Sequence, residues 1–304
     1  MSCNSDSTHP ASNRSIGVLY ALLAYGAWGF LPIYWKLFGQ VPAVEVLTHR
    51  ILWSMVFLSG LLLFQRRGAE LQQILRTPRH LGVLFTTAVL LSLNWGLYIY
   101  GVNTDRVVET SLGYFINPLV NVLLGFLFLK ERLNRGQTIA VALAVLGVAN
   151  FIWYFGQVPW IALGLAFTFA VYGLLRKTTA VAPMVGLAVE TLSVTPIALI
   201  LVGYWASTGE GHLVADGWIT LLFIGAGIMT SFPLLWFNNA AKRLPLSTLG
   251  FFQYLAPSFQ LMLGVFLYHE PFTQIHAVTF GFIWTALAVY SYSSWMKYRS
   301  QLVQ

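Results

Sequence analysis

Apolar positions run almost unbroken along this chain and are interrupted at intervals by charges, glycines and prolines. Read as helices, the runs predict spans near 15–37, 42–64, 79–102, 106–129, 134–154, 158–175, 182–206, 216–240, 245–268 and 272–296. Each approaches the roughly 20 residues that cross a bilayer. The connections between them are short, so no soluble domain fits; the longest is QRRGAELQQILRTPR at 65–79. The first fourteen residues, MSCNSDSTHPASNR, are polar and predict a disordered tail rather than a signal peptide.

Composition agrees. Hydrophobic residues make up 57% of the 304, and charged residues only 9%, against roughly a quarter charged in an ordinary soluble domain. Mean hydropathy is +0.70. The expected fold class is an all-α integral membrane protein with ten transmembrane helices embedded in the lipid bilayer. The formal charge of +7 is a matter of placement. If the N-terminus is cytoplasmic, fourteen of the seventeen Lys and Arg residues lie inside. Only Lys36 and Arg106 lie outside, and Arg50 lies within a span. This asymmetry predicts that both termini are cytoplasmic, and implies no nucleic-acid partner. The single cysteine, Cys3, allows no internal disulfide.

The two halves of the chain repeat. SLGYFINPLVNVLLGFLFLKE (111–131) returns as TLGFFQYLAPSFQLMLGVFLYHE (248–270), pairing Gly113 with Gly250, Phe115 with Phe252, Pro118 with Pro257, Gly125 with Gly264 and Glu131 with Glu270. More weakly, PAVEVLTHRI (42–51) echoes PMVGLAVETL (183–192), which sets His49 opposite Glu190. Spans one to five thus correspond to spans six to ten. Five is odd, so the copies cross in opposite directions. The expected domains are a tail (1–14) and two inverted five-helix repeats (15–154 and 158–297). Inverted repeats are the architecture of secondary transporters, which bind substrate near the midplane.

Ionisable groups at that depth are costly and normally functional. Arg50 lies about 12 Å beyond Pro42, and Glu190 about 10 Å beyond Pro183 from the other face, at 1.5 Å per residue. Glu45 and His49 share a helix face with Trp53, while Arg50 is turned about 100° from His49. The predicted cavity wall is Glu45, His49 and Arg50, with Glu190 converging from the second repeat. Further candidates for substrate binding are polar or aromatic residues inside spans: Trp28, Asn94, Trp95, Tyr114, Asn117, Trp236, Gln253 and Tyr254. A structural ion pair is the alternative role for Arg50 and Glu190, and a hydrogen bond to Glu45 the alternative for His49. Any proton coupling is expected to run through Glu45, Glu190 or Glu109.

No phosphate loop, H-E-x-x-H or G-x-S-x-G occurs, and no His set has metal-ligand spacing. No enzyme activity, cofactor or metal is expected. A passive channel or a non-transporting sensor is the competing class, but the polar residues form no continuous stripe and the loops leave no output domain.

Over nearly its whole length the chain resembles the RarD group of EamA-type proteins in the drug/metabolite transporter superfamily. The residues that carry the likeness are WGFLPIYWK (28–36), VPAVEVLTHRILWS (41–54), Asn94-Trp95, SLGYFINPLVNVLLGFLFLKERL (111–133), GLAVETL (186–192) and KRLPLSTLGFFQYLAPSFQLMLGVFLYHEPF (242–272). The resemblance implies two inverted five-helix EamA repeats in a bacterial inner or plasma membrane. It also implies a permease, with efflux favoured, for a small metabolite or drug-like solute moved by alternating access. It transfers no binding residue, and leaves monomer or homodimer open.

Overall fold

A computed structural model describes residues 10–130, 132–177, 179–213, 216–241, 243–244, 248–249 and 252–302. The helices are α1 (Pro10–Lys36), α2 (Ala43–Phe64), α3 (Gly68–Leu75), α4 (Pro78–Asn103), α5 (Val107–Leu129), α6 (Arg135–Phe155), α7 (Trp160–Lys177), α8 (Pro183–Thr208), α9 (Gly217–Ala241), α10 (Leu255–Met262, continued by a π-turn at Leu263–Leu267) and α11 (Gln274–Leu302). Among the described residues, nine helices are long and apolar enough to cross a membrane. They begin and end where the sequence offers termination chemistry. Pro78 and Pro183 occupy first-turn positions whose N–H has no helical partner. Asn134 and Gln137 cap α6 reciprocally, and Gly209 ends α8 at φ 73°, a conformation that costs glycine nothing.

Three expectations change. The helix that contains the first span starts at Pro10, inside the stretch expected to be tail, while residues 1–9 lie outside the described residues. The connection at 65–79 contains α3, because Ile74 is buried and Leu71 packs beside it against Leu84, Val185 and Leu187. The span expected at 245–268 is continuous only from Leu255 to Leu267. Thirteen helical residues reach about 20 Å, short of a hydrocarbon core about 30 Å thick. Gln253 and Tyr254 form a turn ahead of it, and residues 245–247 and 250–251 lie outside the described set.

Helix pairing follows the repeat. With α3 set aside, α1, α2, α4, α5 and α6 correspond to α7, α8, α9, α10 and α11. Helix α6 packs on α11, α2 on α8 and α5 on α10, each against its own counterpart. The remaining major contacts come as matched pairs: α1 on α9 with α4 on α7, α2 on α9 with α4 on α8, and α5 on α7 with α1 on α10. Among the described residues there are helices and connections but no strand, and the fold is all-α.

Helices α2 and α9 approach closely at Gly227. A Cβ on Gly227 would stand 2.5 Å from the Trp53 carbonyl oxygen, in contact with backbone that has no side-chain freedom to yield. Gly227→Val is expected to destabilise the protein by about 1–3 kcal/mol, the usual cost of overpacking, and to lower its membrane abundance. Thermal unfolding of the detergent-purified variant checks this; an unchanged midpoint would show that the two helices separate freely.

Candidate functional site

The α1–α2, α4–α5, α6–α7, α8–α9 and α10–α11 connections share one end of the bundle, and contacts of acidic residues close it. Glu45, in the first turn of α2, accepts hydrogen bonds at 2.7 Å from both the backbone N–H and Nδ1 of His212 in the α8–α9 connection. Glu270 accepts the Val107 and Val108 N–H groups, each at 2.7 Å, and so caps α5 from the α10–α11 connection. Burial pushes the Glu270 carboxyl up from its usual range, while those two N–H groups and Lys36 pull it back. Glu109 is paired with Arg106 at 2.6 Å and accepts the Ile161 N–H at 3.1 Å, at the start of α7. Lys36 and Asp105 form a further ion pair. A carboxylate at a helix N-terminus meets both free N–H groups and the positive end of the helix dipole.

At the other end, where the chain is rich in Lys and Arg, Glu190 occupies a different centre. It is 1% exposed. Thr87 of α4 donates to it at 2.7 Å, Tyr172 of α7 at 3.4 Å, and Arg176 Nε stands 3.6 Å away. The Arg176 guanidinium rests over Gly186, one turn before Glu190, in the space a side chain would fill.

Between these ends lies Arg50. It is 5% exposed, donates from Nε to Thr230 Oγ1 at 3.0 Å, and leaves Nη1 without a partner. Its guanidinium carbon sits 4.0 Å from the Trp95 ring centroid and 5.0 Å from that of Trp35. Tyr98 and Tyr114 are within electrostatic reach and pack edge to face, 5.7 Å apart. The centre thus gathers α1, α2, α4, α5 and α9. Among the described residues no carboxylate lies within ion-pair distance of Arg50.

The expected convergence therefore does not form: Glu190 does not approach Arg50, because Arg176, Thr87 and Tyr172 hold it in a separate cluster. Glu45 is held by His212, and His49 stacks on Phe223 at 3.9 Å between centroids rather than bonding Glu45. Asn94 and Asn117 donate to the α7 backbone at Leu165 and Ala166, both at 3.0 Å, so they join helices. Trp28 sits in an aromatic group with Tyr25 and Phe237, and Trp236 packs on Phe232. Gln253 and Ser291 lie close to the Tyr254 side chain. Tyr254 also lines a cleft of about 370 Å³ with Leu22, Thr248, Phe252, Leu255 and Ser258, opening between α1 and α10 at the basic end. Only Arg50, Trp95 and Tyr114 of the candidates meet. Trp35, Tyr98 and Thr230 complete that centre and were not read from the sequence, although WGFLPIYWK and NWGLYIY contain the first two.

The EamA-like transporter family matches residues 15–153. The protein named RarD in Salmonella typhi is 49% identical over 275 residues, covering 90% of this chain and 94% of that one. The chain belongs to the RarD group of the EamA-like transporter family. An uncharacterized transporter of Bacillus subtilis is 45% identical, covering 91% of this chain and 94% of its own. A crystal structure covering 91% of this chain superposes with a TM-score of 0.58 at 21% identity, which shows a shared fold. The chain is a multi-pass bacterial membrane transporter of the drug/metabolite transporter fold, with a small-molecule substrate. The transporter relatives accord with its lack of enzyme motifs.

Proposed function

We propose that this chain is a secondary transporter that moves a small metabolite or drug-like solute out of the cell by alternating access. Two inverted repeats, 15–154 and 158–297, would rock about the Arg50 centre, with both termini cytoplasmic. The observation that supports it best is Arg50 itself, a buried charge with an unpartnered N–H and, among the described residues, no carboxylate within ion-pair distance. An uncompensated charge at membrane depth is costly and is usually retained for a ligand or an ion path. The contacts at Glu45, Glu109 and Glu270 tie the connections at one end across the two halves.

Purified protein in liposomes tests this against a channel or a sensor. A panel of radiolabelled metabolites and antibiotics should include one whose uptake saturates and is accelerated by unlabelled solute on the other side. Flux without saturation would favour a channel, and no flux of any solute a sensor.

Orientation has its own test. In a Cys3→Ser background, a cysteine at exposed Gln72 should be shielded from an impermeant thiol reagent added to intact cells, and one at exposed Ser207 should label. The reverse pattern would overturn the cytoplasmic placement of both termini.

A further inference from the structure

We infer that the Arg50 centre takes a monocarboxylate: a solute with one carboxylate on a largely apolar, planar body. The inference rests on the transporter reading above and names the substrate class of that same site.

Hydrogen-bond inventory comes first. Arg50 Nη1, Trp35 Nε1 and the Tyr98 hydroxyl are all buried without a partner, on side chains 5%, 0% and 3% exposed. Two of the three groups only donate, and the third is a phenol that donates readily. A buried polar group left unpaired is costly, so each needs a partner in some state of the protein. The aromatic faces of Trp35 and Trp95 attract the guanidinium charge, and Thr230 meets Nε, but Nη1 is left unmet. What is missing is an acceptor.

Charge then narrows the class. Two buried acids near in sequence or repeat position are committed elsewhere, Glu45 to His212 and Glu190 to Arg176, Thr87 and Tyr172. The site therefore offers one positive charge. A monoanion neutralises it, whereas a phosphate dianion would leave a net buried negative charge in a wall of aromatic rings. A neutral amide supplies an oxygen but leaves the guanidinium uncompensated, and an ammonium is repelled. Carboxylate geometry matches guanidinium donors well.

Flat aromatic surfaces define the rest. Trp35, Trp95, Tyr98 and Tyr114 surround the charge, and Thr230 is the polar contribution from the second half. An apolar planar body would lie against those rings. No further carboxylate or amine is required of it.

The test uses the full-length protein in nanodiscs, with benzoate, benzamide, benzylamine and inorganic phosphate as probes and thermal shift as the readout. Benzoate should raise the melting temperature saturably, with at least about tenfold higher affinity than the other three, and the shift should vanish in Arg50→Ala. Should that variant fold poorly, Trp35→Phe and Tyr98→Phe each keep an aromatic ring and remove one donor. Each is then expected to weaken benzoate by about three- to tenfold. Equal binding of benzamide, tighter binding of phosphate, benzoate binding that persists in Arg50→Ala, or unchanged affinity in both donor variants would overturn the carboxylate class. The two readings fail separately. Arg50-dependent counterflow of a neutral or cationic solute would leave the transporter standing and remove the carboxylate. Benzoate binding with no counterflow of any solute would do the opposite.

Discussion

Arg50→Ala is expected to reach the membrane at wild-type abundance and to transport at least about 30-fold more slowly. The two halves of that expectation have separate causes. Arg50 is stacked between tryptophan rings and bonded to a hydroxyl, so its removal strands no buried carboxylate. Thr230, its hydrogen-bond partner, still donates to the Ala226 carbonyl at 2.8 Å. Folding should tolerate the loss. Binding should not, because truncating one side of a desolvated charge pair typically costs 2–5 kcal/mol, and tenfold corresponds to about 1.4 kcal/mol. Arg50→Lys should recover little, since an ammonium neither lies flat between two rings nor keeps the Nε bond to Thr230. Transport normalised to membrane abundance is the measurement. Unchanged transport would remove Arg50 from the mechanism, and lost abundance would make it structural.

A second arginine, half-buried Arg176, predicts the opposite phenotype. Arg176→Ala is expected to cost about 3–5 kcal/mol of stability, because it leaves Glu190 as a buried charge with only Thr87 and Tyr172 for partners. Membrane abundance should fall steeply. Adding Glu190→Gln should restore most of it, since the amide keeps an oxygen for Thr87 and buries no charge. Abundance and melting temperature of the two single variants and the double decide the matter. If Arg176→Ala is as stable as wild type, or the double variant is no better than the single, the ion pair does not hold α4, α7 and α8 together.

Much of the architecture was legible in the chain. Apolar run length is a direct consequence of bilayer thickness, so nine of the ten expected spans appear within a few residues of their places. Gly113, Pro118 and Gly125 recur in order with their counterparts in the second half, and the helix contacts fall in matched pairs between the halves. The exceptions are local. Helix α3 is too short to announce itself by periodicity, and its burial depends on α4 and α8. The short described extent of α10 reflects a turn at Gln253 and Tyr254 inside a run that hydropathy reads as continuous.

The candidate site was legible in part. Depth along a helix marked Arg50, Glu45, His49 and Glu190 as costly residues, and all four are buried. Their partners were not readable. Glu45 and Arg50 are five residues apart in one helix, yet one reaches the α8–α9 connection and the other faces tryptophans from α1 and α4. Asn94 and Trp95 are adjacent, yet the first bonds α7 and the second covers Arg50.

By itself, then, the sequence determined the membrane class, the approximate limits of nine spans and the family. Each depends on composition or order summed over many residues, and each such sum survives errors at single positions. Only the tertiary structure decided that Glu190 belongs to Arg176, that Glu45 belongs to His212, and that Arg50 is left with rings and an empty donor. Successive residues on a helix point about 100° apart, so a side chain's partner depends on the rotation and depth of neighbouring helices. Those are set by contacts such as Gly227 against the Trp53 backbone, where the absence of one methyl group lets two helices meet.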